Sequence, residues 1–321
     1  MARIWTLLST RKKAVREDTV VFILSHRRAD SVRTYGSIRK AGYSGAVRVI
    51  VDDTDPELAR YLELYGSEVL VFSKDDMAGT FDLGDNFQGT GTVTFARNVC
   101  HRVAQDLGFD FFVVLDDDYY TFQYKYRSDG TWRRPSPSIR HTLDESVDAM
   151  VRFVSSTPVS ALCASQAGDH IGGQHQTVAA KRKAMNWWVC ATARPFTVVG
   201  RMNDDVNTYV LGAMRGDLYL TTMQLMLSQY QTQINSGGLT EMYLNAGTYV
   251  KSFYTVMMAP ACCSIAMFGD PHNKTGDVRI HHKINWKATA PKIVRESTRK
   301  AGASAKKKLT GKKAVLEEAR G

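Results

Sequence analysis

The chain has 321 residues, a formal net charge of +10, 44% hydrophobic and 10% aromatic residues, a composition ordinary for one or two folded domains. Its five cysteines, at positions 100, 163, 190, 262 and 263, are odd in number and contain no CxxC pair, which argues against a disulfide framework or a zinc knuckle and for a reducing compartment. The opening MARIWTLLSTRKK has too short an apolar stretch for a signal peptide, and the uncharged stretch Ser252 to Gly269, broken by Pro260, reads as buried core rather than a membrane span.

The charge is unevenly placed. Arg299, Lys300, Lys306, Lys307, Lys308, Lys312 and Lys313 stand together without an acidic residue among them, so the excess positive charge lies largely in a tail. Such a tail fits a mobile arm that meets a polyanion, or simply a solubilising extension. The organisation expected is a polar leader over 1–18, one catalytic domain over 19–297 and a basic flexible tail over 298–321.

Along the chain, Val20 to Leu24 reads as a strand ending in Ser25-His26-Arg27-Arg28, followed by a helix from Asp30 to Lys40 closed by Gly42. Ala46 to Val51 is a strand ending in Asp52-Asp53. A helix from Pro56 to Leu64 and a strand from Glu68 to Phe72 follow. A loop carrying Gly79, Gly84, Gly89 and Gly91 leads to a helix over Thr92 to Leu107, with Phe95, Val99, Val103 and Leu107 as its apolar face and Gly108 as its stop. Phe111 to Leu115 is an apolar strand running straight into Asp116-Asp117-Asp118. Val159 to Ser165 and Trp187 to Ala191 read as strands around a loop over Gly168 to Gln176. Asn203 to Met214 reads as a helix capped by Asn203, Gly237-Gly238 precedes a helix from Leu239, and Asp277 to Ile280 reads as a strand.

Alternating apolar strands and helices imply an α/β fold with a mostly parallel central sheet covered by helices, whose ligands bind beyond the carboxyl ends of the strands. Three polar clusters converge there: Ser25-His26-Arg27, Asp52-Asp53 and Asp116-Asp117-Asp118. Three adjacent carboxylates after a buried strand repel one another, and a hard divalent ion, Mg²⁺ or Mn²⁺, relieves that repulsion. Asp116 and Asp118 fall on one side if strand geometry persists, which makes them the ligand candidates; a solvated acidic loop is the plain alternative. Asp52 and Asp53 can accept hydrogen bonds from a ribose or base, or cap the following helix. Ser25, His26 and Arg27 can hold a uracil or phosphate, and Arg97, off its helix's apolar face, a pyrophosphate. His281 or His282 can complete a metal shell. Asp204 or Asp205 can deprotonate an acceptor hydroxyl, although the helix dipole alone explains acids in a first turn. Trp187 and Trp188, after Lys181-Arg182-Lys183, can stack an extruded base beside cations, or sit in the core.

The stretches VVFILSHRRAD, RTYGSIRKAGY, GDNF, FARN, VVLDDDYYTFQY, NDDVNTY and RIHHKINWKATAPK, spread from about Val20 to Lys292, resemble the bacteriophage TET-associated glycosyltransferases, which have a GT-A fold. The resemblance implies transfer of a sugar from a nucleotide sugar, a UDP-sugar such as UDP-glucose or UDP-GlcNAc, onto 5-hydroxymethylpyrimidine in phage DNA, 5-hydroxymethylcytosine above all. A TET-type dioxygenase would supply that base in the cytoplasm of the infected bacterium. It also implies DxD-type metal ligation by Asp116 and Asp118, an inverting base at Asp204 or Asp205, and a C-terminal metal ligand at His281 or His282. Here DDD replaces the plain DxD, so which two of Asp116, Asp117 and Asp118 ligate is open. A transferase of this fold with a non-DNA acceptor, a nucleotidyltransferase and a non-catalytic DNA-binding protein are the rival readings.

Overall fold

The structure, a computed structural model, describes residues 16–87, 91–127, 129, 131, 136–166, 169, 182–230, 249–269 and 278–289. The leader up to residue 15, most of the loop Gly168 to Gln176, Lys181, the helix expected from Leu239 and the tail over 298–321 lie outside these residues.

Among the described residues, eight strands form one sheet in the order β3-β2-β1-β4-β7-β6-β8-β5. They are β1 (Thr19–Leu24), β2 (Ala46–Asp52), β3 (Val69–Phe72), β4 (Phe111–Asp116), β5 (Tyr119–Tyr124), β6 (Ala161–Gln166), β7 (Asn186–Ala191) and β8 (Tyr219–Gln229). Strands β1 to β4 pair in parallel, as does β6 with β8, whereas β7 runs antiparallel to β4 and β6, and β5 antiparallel to β8. The expected mostly parallel sheet is present, with its antiparallel members confined to the half after Asp116.

The period-two geometry of the strands divides the core. Val21 and Ile23 point to one face, under α1 (Arg33–Lys40), α2 (Leu58–Tyr65) and α5 (Leu143–Ser156). Val20, Phe22 and Leu24 point to the other, under α3 (Lys74–Met77), α4 (Thr94–Asp106) and α6 (Asp204–Met214). Because both faces are covered, β1 is buried along its whole length. A smaller antiparallel ribbon, β9 (Cys263–Gly269) with β10 (Val278–Ile284), packs with α7 (Val250–Met258), and α8 (Trp286–Thr289) follows it. Gly42 closes α1 at φ 93°, and a Cβ there would lie 2.4 Å from the backbone of His141.

Several expectations are corrected. The face of α4 is Phe95, Val99, Cys100 and Ala104, and Leu107 is exposed. A strict spacing of four advances 40° per step around a 3.6-residue helix, so the expected stripe drifts off the core within three steps. The stretch 252–269 divides at a turn over 259–262 and is not core throughout: α7 buries Ser252, Tyr254 and Thr255, leaving Phe253 and Met257 exposed, with Met267 of β9 exposed as well. No helix among the described residues is long and apolar enough to cross a membrane.

On α4, both ring nitrogens of His101 are buried without a hydrogen-bond partner among the described residues, between the edges of Phe112 and Phe196. Burial pushes this imidazole down to about 4. Its folded value lies below the unfolded one, so its stability contribution holds above about pH 6.5 and is lost as the pH falls to about 4. His101→Leu should therefore raise the stability by about 1 kcal/mol and flatten that acid limb. A lower melting midpoint for the variant at pH 7 would refute the burden assigned to the imidazole.

Candidate active site

The register places Leu24 of β1 level with Ile50 of β2 and Asp116 of β4, so the residues following each strand meet along one edge. Strand β4 ends at Asp116, and Asp117 and Asp118 form the turn into β5. Exposure still alternates: Asp117 is buried, and Asp116 and Asp118 are partly open. The start of α1 pins this turn. Thr34 donates its amide to the Asp117 carbonyl and its hydroxyl to the Asp116 carbonyl, while accepting the Tyr119 amide.

The three carboxylates have different surroundings. Asp117 accepts the Ser25 hydroxyl at 2.7 Å and Arg28 Nη1 at 3.0 Å, which fixes both side chains inside the edge. Asp116 accepts the Tyr119 hydroxyl at 3.1 Å and Arg97 Nη2 at 3.3 Å. Asp118 makes no side-chain hydrogen bond with a described residue. Burial, then the charges of Asp116 and Asp117, push it up to about 7.

Arg97 is buried and reaches across to α6, where its Nη1 donates to Asp204 at 2.7 Å. Burial alone disfavours its charge, but Asp204 and Asp116 outweigh that and keep it firmly protonated. Burial raises Asp204 against the pull of Arg97, and raises Asp205 together with the Asp204 charge. Asn203 does not cap α6 as expected. It sits at φ 52°, and its amide instead donates toward the Lys251 carbonyl, Thr255 Oγ1 and His282 Nδ1 at 2.9, 3.1 and 3.2 Å. These bonds bring β10 to the start of α6. Burial, with His281, Lys251 and Lys183 nearby, pushes His282 down to about 4, and His281 Nδ1 donates to the His282 carbonyl at 2.9 Å.

Asp116, Asp117, Asp118, Asp204 and Asp205 thus gather around two guanidiniums, Arg28 and Arg97. That shortfall of positive charge among the described residues, and an Asp118 carboxylate without a side-chain hydrogen bond among them, fit a hard divalent ion. A second group, His26, Asp52 and Asp55, holds potential ligand atoms within 4.8 Å of one another. Its oxygens are already engaged. Asp52 accepts from Thr54, Lys74 and His26, and Asp55 from Arg27 N, Glu57 N and His26. Burial would raise Asp52, but His26, Thr54 and Lys74 outweigh it and hold it well below the usual carboxylate range. The group fits an oriented imidazole, with Nδ1 donating and Nε2 left to accept, better than a metal shell.

Other expected residues lie as follows. Asp53 is exposed, and its carboxylate accepts the Lys74 amide; the capping bond to Glu57 belongs to Asp55. Arg27 is exposed at φ 56°, in a backbone region that costs a side-chain-bearing residue about 1 kcal/mol or more. Trp187 and Trp188 are 1% and 4% exposed, so neither indole can stack an extruded base; each faces one side of the sheet, as successive strand residues must. Lys183 pairs with Asp169, and Arg182 lies over the Trp286 ring and donates to its carbonyl. Sequence reasoning missed Thr34, Arg28 and Lys74, whose roles depend on contacts across 20 to 89 positions, and Tyr119, whose hydroxyl reaches back three positions to Asp116; the alternating YYTFQY after the aspartates was the one signal for β5.

A sequence profile of the TET-associated glycosyltransferases matches residues 19–238. The chain belongs to that family. No curated protein sequence matches significantly. Among solved structures, it is similar to a glucosyl-3-phosphoglycerate synthase from Mycobacterium tuberculosis in complex with Mn²⁺, UDP and phosphoglyceric acid, at 10% identity and a TM-score of 0.43, covering 83% of this chain and 86% of that one. It is also similar to a mannosyltransferase from Pyrobaculum calidifontis in complex with GDP-Man and Mn²⁺, at 12% identity and a TM-score of 0.41, covering 78% and 76%.

Proposed function

We propose that this glycosyltransferase moves a sugar from a nucleotide-sugar donor, a UDP-sugar such as UDP-glucose or UDP-GlcNAc, to the hydroxymethyl oxygen of a 5-hydroxymethylpyrimidine in DNA. The reading takes 5-hydroxymethylcytosine as the base, a TET-type dioxygenase as its source and the cytoplasm of a phage-infected bacterium as the setting. The observation that carries it is the cation-deficient carboxylate cluster at the strand edge of a TET-associated family member.

Asp116 and Asp118 would hold Mn²⁺ or Mg²⁺, with His281 or His282 as a further ligand; when bound, the ion supplies neutralisation of the charge that builds on the departing diphosphate. Arg27, exposed in the loop after β1, would add fixed positive charge for the same oxygens. His26 Nε2, held in place by Asp52 and Asp55, can accept an N–H from the donor base. A carboxylate at the start of α6 takes the proton of the attacking hydroxyl, which gives inversion at the anomeric carbon. A base inside a duplex is out of reach, so the target is flipped out or single-stranded. Arg182, Lys183 and the basic tail supply phosphate contacts.

The test incubates the protein with Mn²⁺ or Mg²⁺, a panel of UDP-sugars and DNA carrying 5-hydroxymethylcytosine, and reads the nucleosides by mass spectrometry. A hexose or N-acetylhexosamine added to the modified base, and lost in Asp116→Ala, is the expected result. Nucleoside diphosphate released without a DNA adduct would move the acceptor elsewhere, and no donor consumption would overturn the reading.

A further inference from the structure

Helix α6 opens on two adjacent acids, Asp204 and Asp205, and neighbours on a helix point about 100° apart. Their surroundings differ accordingly. Asp204 Oδ2 is fixed by Arg97 at 2.7 Å, with both side chains 10% exposed. The same guanidinium reaches Asp116 with its other nitrogen at 3.3 Å, and its Nε is buried without a partner among the described residues. Asp205 Oδ1 accepts the Val206 amide at 2.8 Å, and its second oxygen makes no hydrogen bond with a described residue. Asp205 is also the more open of the two.

We propose that Arg97 is a positioning residue that locks Asp204 to Asp116, thereby withdrawing Asp204 from proton transfer and leaving Asp205 as the catalytic base. The inference rests on the glycosyl-transfer reading above. A carboxylate already accepting a short, charge-assisted hydrogen bond from a buried guanidinium is a poorer proton acceptor and cannot turn toward a substrate without breaking that bond. Asp205 has an oxygen to spare. In the step assigned to it, Asp205 takes the proton of the acceptor hydroxyl and the hydroxyl oxygen forms the bond to the anomeric carbon. The bond from that carbon to the diphosphate oxygen breaks, and its electron pair leaves on the nucleoside diphosphate. Arg97 acts through the carboxylates: it spans α4, β4 and α6, so the donor-side acid and the acceptor-side helix keep one spacing.

The experiment compares Asp205→Asn, Asp204→Asn, Arg97→Met and the double variant Arg97→Met/Asp204→Asn. It reads nucleoside diphosphate release from UDP-glucose and UDP-GlcNAc with Mn²⁺ and DNA carrying 5-hydroxymethylcytosine, and the melting midpoint in EDTA. Asp205→Asn should lower kcat by about 100-fold or more, with donor KM within about threefold and the midpoint unchanged. Asp204→Asn keeps an oxygen for Arg97 and should lower kcat by less than about 10-fold. Arg97→Met strands a buried carboxylate and should lower both kcat and midpoint; the double variant removes that stranded charge and should recover at least about 10-fold in kcat, together with part of the midpoint. A general loss of packing would show no such recovery. Asp204→Asn as damaging to kcat as Asp205→Asn, or a double variant no better than Arg97→Met in either readout, would overturn the inference. Absence of donor turnover in the wild type would sink the glycosyl-transfer reading and the base assignment with it, while midpoint recovery in the double variant would still report the Arg97–Asp204 link.

Discussion

Asp118→Asn is expected to move activity and stability in opposite directions. Donor turnover should fall by about 100-fold or more, since the variant loses an anionic oxygen where the proposal puts the divalent ion. The metal-free protein should gain about 1–2 kcal/mol above pH 7, because the same carboxylate is partly buried and crowded by two others, which its own backbone amide and the nearby Arg28 charge offset only in part. Folded, the group titrates at about 7; unfolded, it returns to the ordinary carboxylate range. Between about pH 4 and 7 the folded chain therefore holds a proton that the unfolded chain has lost, and stability drains away as the pH rises through that window. The full shift corresponds to about 4 kcal/mol, and partial exposure of Asp118 to solvent reduces it to the figure given.

His101 and His282, both pushed down to about 4, act in the opposite sense, removing stability as the pH falls below about 6.5. The wild-type profile alone mixes these contributions; the difference between wild type and Asp118→Asn isolates one carboxylate. Denaturant unfolding in EDTA at pH 5 and pH 8 measures it. The gain should be small at pH 5 and largest at pH 8, and saturating Mn²⁺ should stabilise the wild type far more than the variant. A variant less stable than the wild type at pH 8 in EDTA would show that Asp118 is satisfied within the fold and needs no cation.

The legible part of this molecule was the part written in local patterns. Strands β1, β2 and β4 are short apolar runs followed at once by polar residues, and a parallel sheet obliges those polar residues to share an edge. The same logic reached Asp116 and Asp118 through alternation. Beyond Asp118 the chain turns back on itself: β5, α5 and β8 went unassigned, although Leu143, Val147, Met150, Val151 and Val154 carry a helical period that the sequence displays openly. Partners were less accessible still. Arg97 and Asp204 lie 107 positions apart, and Arg28 and Asp117 lie 89 apart, so no spacing rule connects them. The paired tryptophans illustrate the converse error. Basic neighbours made them look like a stacking surface, yet a strand buried on both faces takes one indole into each half of the core.

Asp85→Ala should be the most destabilising single substitution near the site, costing about 3–5 kcal/mol and lowering the melting midpoint by about 10 °C. Arg201 is 2% exposed and donates from Nε to both Asp85 oxygens, at 3.0 and 2.9 Å, and from Nη2 to the Phe87 carbonyl. Tyr254 of α7 donates its hydroxyl to the same carboxylate. Burial would raise the Asp85 carboxyl, but Arg201 and Tyr254 outweigh it and hold it below its usual range. Backbone bonds from Gly200 to Asp82 and from Arg201 to Leu83 complete the attachment. The segment 82–87, α7 and, through Arg201, the approach to α6 are thus tied at the one carboxylate of Asp85. Removing it takes from a buried guanidinium the carboxylate that its Nε reaches, whereas Arg201→Met/Asp85→Ala removes both charges and should recover part of the loss. Because α6 carries Asp204 and Asp205 in its first turn, kcat should fall with the midpoint in Asp85→Ala and return with it in the double variant. An Asp85→Ala midpoint equal to that of the wild type would mean that the Asp85–Arg201 ion pair contributes little, and that the remaining bonds hold the start of α6 without it.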